Sequence, residues 1–277
     1  MISVNNIDFK YAGQKEKVFQ NFSLQLSENN IYGLLGKNGT GKSTLLYLIA
    51  GLLRPSHGTV SIDGILSSAR RPEVLQDLFI VPEEFDMPPM SLDQYVRIHK
   101  PFYPNFSQEV LENCLKDFEM PTVMKLQSLS MGQKKKVFMS FALASGTRLL
   151  LMDEPTNGLD IPSKMQFRRV VANNMTDDRT LIISTHQVHD VESLLDHILI
   201  LSQSQLLLDA SVGDICDRYS FEYRTPGSAN DDVLYSEPSV QGNAVICPRK
   251  ENMDETPLNL ELLFNAVTMN KIDFNNH

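Results

Sequence analysis

The chain has 277 residues, 42% hydrophobic and 21% charged, a composition that excludes a disordered or collagen-like protein and leaves room for one large domain with a modest extension. Its formal charge of −9 sets an acidic surface against phosphate backbones and opposes a nucleic-acid partner. Cys114, Cys216 and Cys247 show neither paired metal-ligand spacing nor an even disulfide count, which fits a reducing cytosolic setting.

In chain order, Met1 to Lys17 has no basic start followed by an apolar stretch, so no secretory signal is expected. Residues 2–10 and 18–26 alternate apolar with polar positions (Val18, Phe22, Leu24, Leu26), which predicts a pair of half-buried antiparallel strands. Ile31 to Leu35 is a short apolar run halted by glycine, and a leucine-rich segment from Lys42 to Ala50 predicts a helix after it. Between them lies Gly36-Lys37-Asn38-Gly39-Thr40-Gly41-Lys42-Ser43, the phosphate-loop pattern in the strand-to-helix context that it requires. Gly36, Gly39 and Gly41 let backbone N–H groups curl around a phosphate, and the helix N-terminus adds its positive dipole end. Lys42 is then placed to bridge the β- and γ-phosphates and Ser43 to hold Mg²⁺, with Asn38, Thr40 and Thr44 among the residues around the nucleotide.

After Pro55, the run Gly58 to Ile62 followed by Asp63-Gly64 predicts a hairpin, and Leu78 to Val81 a further strand. From about Ser91 to Gly146 the period turns helical, with Val110, Leu111, Cys114, Leu115 and Phe118 three and four apart. Lys134 to Lys136 reads as a solvated face of that region. Leu149 to Met152, Leu181 to Ser184 and Ile198 to Leu201 read as strands, alternating with helical stretches near 162–175 and 187–195. That alternation predicts a parallel sheet flanked by helices. The first of these strands runs into Asp153-Glu154-Pro155, and strand ends are where such a sheet presents chemistry. Asp153 is placed to bind Mg²⁺ directly or through water, and Glu154 to polarise the water that attacks a γ-phosphate. Residues 224–257 are rich in Pro, Gly, Ser, Asn and Asp, which predicts a loosely structured extension closed by one helix near 258–267. No run reaches the ~18 apolar residues of a membrane span, so membrane contact is expected through a partner.

The order of these motifs resembles an ABC transporter nucleotide-binding domain over roughly residues 1–210, with a helical subdomain inserted at about 85–146 and an extension over 211–277. Leu129-Ser130-Met131-Gly132-Gln133 is similar to the family's Leu-Ser-Gly-Gly-Gln signature, with Met131 in place of the first glycine. The resemblance implies a P-loop α/β core with an N-terminal antiparallel β subdomain, and a head-to-tail dimer, homo- or heteromeric, closing on ATP. In it Ser130, Gly132 and Gln133 face the nucleotide of the opposing subunit, and Asp160 in Gly158-Leu159-Asp160 belongs to the family's D-loop. A cap on the following helix is an equally physical role for Ser130. His186, in Ser184-Thr185-His186, matches the switch histidine that reaches the γ-phosphate or the attacking water, and a purely structural histidine is the alternative. Tyr11, after Phe9-Lys10, matches the aromatic residue that stacks on adenine, and also suits a half-buried strand-end tyrosine.

The family's Q-loop glutamine is replaced here by Glu83, in Ile80-Val81-Pro82-Glu83-Glu84; its carboxylate can still coordinate Mg²⁺ but adds negative charge beside a triphosphate. The Phe102-Tyr103-Pro104-Asn105-Phe106 stretch and the signature variant resemble bacterial export-type subunits. The resemblance therefore implies an ATPase coupled to transport, with ATP and Mg²⁺ as cofactors. Its partners would be a second ATPase subunit and a separate integral-membrane permease contacted by residues near 84–106, holding this chain on the cytoplasmic face of the membrane. A soluble mechanical ABC protein would usually carry a second cassette, coiled-coil arms or a basic linker, none of which is read here. A nucleotide sensor without efficient turnover is opposed by the presence of Lys42, Asp153, Glu154 and His186 together, while Glu83 leaves that alternative open.

Overall fold

The computed structural model describes residues 1–225, 231–240, 242–250, 254–272 and 274. Strands β1 (Ile2–Phe9) and β2 (Phe19–Leu26) pair antiparallel and bury alternate residues, as their apolar-polar pattern requires. β3 (Ile31–Leu35) is buried throughout and leads through the glycine loop into α1 (Lys42–Ile49). β4 (His57–Ile62) and β5 (Ile65–Leu66) turn at Asp63-Gly64 and complete a four-stranded sheet in the order β2-β1-β4-β5. A short α2 (Pro72–Leu75) precedes β6 (Leu78–Val81).

The helical region holds α3 (Leu92–His99), α4 (Gln108–Asp117) and α5 (Met131–Ala144). Beyond it come β7 (Leu149–Asp153), α6 (Ile161–Asn174), β8 (Thr180–Thr185), β9 (His197–Ser202) and β10 (Gln205–Ser211). The central sheet runs β10-β9-β3-β8-β7-β6, parallel from β9 to β6 and antiparallel at the β10 edge. β7 and β8 are buried at every position because helices or a second sheet cover both faces, which is why they read as unbroken apolar runs.

One apolar cluster fills the space between the antiparallel sheet, α1 and one face of the central sheet. A larger one joins the other face to the helical region and to the C-terminal elements. Register then decides the chemistry: Val81 pairs with Met152, Asp153 with Ser184 and Leu35 with Thr185, so β6, β7, β8 and β3 all end at one edge. The segments that follow them, bearing Glu83, Glu154, His186 and the glycine loop, are thereby brought together.

Three expectations are corrected. Residues 187–195 form two short 3₁₀ turns, Val188–Asp190 and Glu192–Leu194, not an α-helix. Among the described residues the C-terminal region is not loose but holds α7 (Val212–Arg218), β11 (Tyr219–Arg224), β12 (Tyr235–Ser239), β13 (Gly242–Pro248) and α8 (Leu260–Thr268), with sheet order β11-β13-β12; the expectation for 226–230, 241 and 251–253 lies outside the described residues. Ile246 and Leu263 are fully buried in the larger cluster, a long-range closure that local composition does not reveal. Finally, the lysine run is not a solvated face: Lys135 is 3% exposed, and Lys136 donates to Gln166 Oε1 at 2.9 Å. Among the described residues no helix is long and apolar enough to cross a membrane.

Candidate active site

The glycine loop follows from two different constraints. Gly39 and Gly41 sit at φ of +83° and +102°, the left-handed region that a side chain resists. Gly36 instead needs room, since a Cβ there would lie 2.6 Å from the carbonyl oxygen of Leu201. Gly41 is the N-cap of α1 and offers no side chain to the helix, so the first-turn N–H groups lack a side-chain cap and suit an anion.

Lys42 is 6% exposed; its Nζ donates to the carbonyls of Gly36 at 2.8 Å and Lys37 at 3.3 Å, and lies 3.7 Å from Glu154 Oε1. Burial pulls its pKa below the usual lysine range, while the carboxylates of Glu154, Asp153 and Glu83 act in the opposite direction.

Asp153 is the last residue of β7, and Glu154 follows it at the bend where the strand ends. Asp153 is 1% exposed. The Ser184 hydroxyl donates to its Oδ1, and its Oδ2 has no hydrogen-bond partner among the described residues. Burial raises its pKa, opposed by the Ser184 and Ser43 hydroxyls. Glu154 adopts φ of +45°, a strained value for a residue with a side chain. Its Oε2 accepts from Thr185 Oγ1 at 3.0 Å and from the His186 N–H at 3.4 Å; His186 Nδ1 lies 2.8 Å from its Oε1.

Lys42, Glu154 and His186 line a cleft of about 530 Å³ that also holds Tyr11, Asn38, Gly39, Gly41, Ser43, Thr44 and Glu83, while the buried Asp153 is not part of its lining. Tyr11 stands edge-on to Phe9 and its hydroxyl is 3.0 Å from Thr44 Oγ1. The hydroxyl of Thr40 donates within the loop to the Lys37 carbonyl. Ser130, Gly132, Gln133 and Asp160 do not line this cleft. Ser130 and Gln133 form a reciprocal capping box at the start of α5, and Asp160 caps α6 by accepting from the Ser163 N–H.

Asn157 also lines the cleft, and no sequence motif marks it. Its Nδ2 donates to Glu83 Oε1 at 2.8 Å, and its place between Glu154 and Asp160 is the one signal for it in the chain. Lys135 escapes sequence reasoning because three consecutive lysines suggest a solvated surface.

Among the described residues no three His, Cys, Asp or Glu side chains converge as a metal cage. Mg²⁺ does not demand one, since it takes one or two carboxylates with phosphate and water making up the rest. The unpartnered, buried Oδ2 of Asp153, with Ser43 acting on the same carboxylate and Glu83 in the same cleft, is a hard-oxygen set that fits it. Glu83→Gln keeps an oxygen acceptor for Asn157 but removes the charge. We expect it to raise the Mg²⁺ needed for half-maximal hydrolysis roughly severalfold; an unchanged or lower requirement would remove Glu83 from the metal site.

A family model described as "ABC transporter" matches residues 19–157, half of the chain. The chain is 28% identical over 207 residues to the ABC transporter ATP-binding protein YtrB of Bacillus subtilis, covering 73% of this chain and 70% of that protein. It is 28% identical over 225 residues to the zinc uptake system ATP-binding protein ZurA of Listeria monocytogenes, covering 76% and 86%. The dimeric post-hydrolysis state of the ATP-binding cassette MJ0796, bound to ADP and Pi, superposes with TM-score 0.67 at 25% identity, over 76% of this chain and 99% of that one.

Proposed function

This chain belongs to the ABC transporter family and is an ATPase of that family, and from that premise we propose that it is the nucleotide-binding subunit of a transporter whose permease is a separate polypeptide. The observation that carries this reading is the convergence of Lys42, Glu154 and His186, with Asp153 behind them, at the shared edge of β3, β7 and β8.

In the proposed cycle two subunits meet head to tail. The N–H groups around Gly39, Gly41 and the start of α1 bind the phosphates of ATP. Lys42 transfers its ammonium from the Gly36 and Lys37 carbonyls to the β- and γ-phosphate oxygens. Ser43 and Asp153, with Glu83, would hold Mg²⁺, which when bound neutralises charge on those phosphates. Glu154 accepts a hydrogen bond from the attacking water. His186, now against Glu154, turns its ring to the γ-phosphate. Tyr11 stacks on the adenine. Ser130, Gly132, Gln133 and Asp160, which stand outside this cleft, complete the site of the opposing subunit.

A permease contact is supported by an apolar groove of about 720 Å³ between the core and the helical region, lined by Leu52, Leu75, Phe79, Tyr95, Phe102 and Phe138. Phe102 is 66% exposed there, and Ile98 nearby in sequence is 50% exposed. Such a patch suits an amphipathic helix from a partner, and it overlaps the 84–106 stretch expected to reach the permease. This arrangement would hold the chain on the cytoplasmic face of the membrane.

The reading is tested by purifying Glu154→Gln from native membranes in mild detergent with Mg-ATP. Stoichiometric recovery of a multi-span membrane protein is expected, and recovery of soluble partners alone would sink the permease. Phe102→Asp in the same background should lower that recovery roughly tenfold at an unchanged melting midpoint. The direction we propose is export, from the resemblance of the Phe102 to Phe106 stretch to export-type subunits. Cargo accumulation inside inverted vesicles would support it, and ATP-driven release would reverse it.

A further inference from the structure

Lys135 is a buried cation that the cycle above does not use. Its stem enters between α5 and the turn after β7, and its Nζ donates to the Asn157 carbonyl at 2.8 Å and the Glu154 carbonyl at 3.1 Å. Withdrawing an ammonium from water is expensive unless each donor finds a strong acceptor. Burial lowers the pKa of this lysine, while the nearby acids Glu83, Glu154 and Asp153 raise it.

The two carbonyls that it engages belong to consequential residues. Glu154 carries the carboxylate assigned to the attacking water and sits at a left-handed φ of +45°. Its N–H is tied to the Ser184 carbonyl at 2.9 Å, and its own carbonyl accepts from both Asn157 N–H at 3.2 Å and Lys135. Asn157 donates to Glu83 across the cleft. A strained backbone persists only where its surroundings over-determine it, and Lys135 joins Ser184, Asn157, Thr185 and His186 in holding Glu154 here.

Lys135 also stands in the second turn of the helix capped by Ser130 and Gln133. The first turn of that helix packs on the same loop, since a Cβ on Gly132 would come within 3.6 Å of the Gly158 carbonyl oxygen. One side chain therefore joins the signature helix to the turn that aims Glu154.

We propose that Lys135 is a positioning residue for hydrolysis, holding the left-handed turn at Glu154 against the signature helix through the carbonyls of Glu154 and Asn157. It acts through Glu154 and is not among the residues lining the cleft. This rests on the reading of Glu154 as the hydrolytic carboxylate, which Glu154→Gln tests separately.

The experiment is steady-state hydrolysis and Mg-ATP binding by full-length Lys135→Met, Lys135→Gln and Lys135→Arg, with the melting midpoint of each recorded. Met fills the cavity without donors, Gln keeps a shorter donor, and Arg keeps charge and donors. For Met we expect kcat, per molecule competent to bind Mg-ATP, to fall at least roughly tenfold with KM and Kd changed less than about threefold; Arg should recover most of the loss. A purely structural lysine would lower the melting midpoint and the folded fraction while leaving kcat per competent molecule intact, and that result overturns the proposal. Equal loss of kcat in the Met and Arg variants also overturns it, because it separates the effect from carbonyl donation. If Lys135→Met does not fold, Lys135→Gln is read by the same split. Normal turnover in Glu154→Gln would defeat the underlying assignment instead, whatever the Lys135 variants do.

Discussion

Glu154→Gln is expected to lower the rate of phosphate release at least ~100-fold while Mg-ATP still binds, because a positioned general base contributes roughly 10² to 10⁴ to such a step. The substitution is nearly isosteric, and the Gln amide oxygen can keep the hydrogen bond from Thr185, so the turn after β7 should persist. What is lost is the negative charge, which polarises water in the wild type and faces the Lys42 ammonium at 3.7 Å. Removing a carboxylate from beside a triphosphate also relieves repulsion, so the variant should hold ATP at least as tightly as the wild type. The check is steady-state phosphate release beside equilibrium binding of labelled ATP. Turnover close to wild type would show that Glu154 is dispensable and would favour a different base.

Lys42→Met should abolish the stabilisation that Mg-ATP confers. A ligand bound only to the folded state stabilises it by RT ln(1 + [L]/Kd), about 2.7 kcal/mol at a hundredfold excess over Kd. For a chain of this size that amounts to several degrees of melting midpoint. Lys42 is the buried cation of the cleft closest to the loop carbonyls, and methionine fills its stem volume without supplying charge. Wild type should therefore show the ATP-dependent shift and Lys42→Met none. Asp153→Asn should behave differently, retaining the shift given by ATP alone and losing the increment added by Mg²⁺. A variant at Lys42 that keeps the full shift would place ATP elsewhere; an intact Mg²⁺ increment in Asp153→Asn would move the metal away from Asp153.

Much of the cleft is legible in the amino-acid sequence, because its glycine loop and its acidic strand end are each a contiguous stretch of chain. The glycine loop carries its strand, its turn and its helix within residues 31–50, so backbone geometry and phosphate chemistry are specified locally. The same holds for the acids at the end of β7, where an apolar strand can only stop at the sheet edge. His186 and Glu83 need a family resemblance, since neither has a local signal that separates it from an ordinary loop residue. The helix expected near 187–195 does not form, because Val188, Val191, Leu194 and Leu195 have helical spacing but anchor two 3₁₀ turns into the core.

By itself, then, the sequence determined the strand, glycine loop and helix of residues 31–50, the acidic strand end, the order of motifs and the α/β class, each of which is written in residues close together in the chain. Only the tertiary structure decided that Lys135 is buried under the Glu154 turn, that Asn157 meets Glu83, and that β11, β12 and β13 form a sheet sealed by α8. Those outcomes depend on which distant groups a side chain meets once water is gone. A lysine among lysines carries no sequence mark of the two carbonyls, 19 and 22 residues away, that will accept its hydrogen bonds.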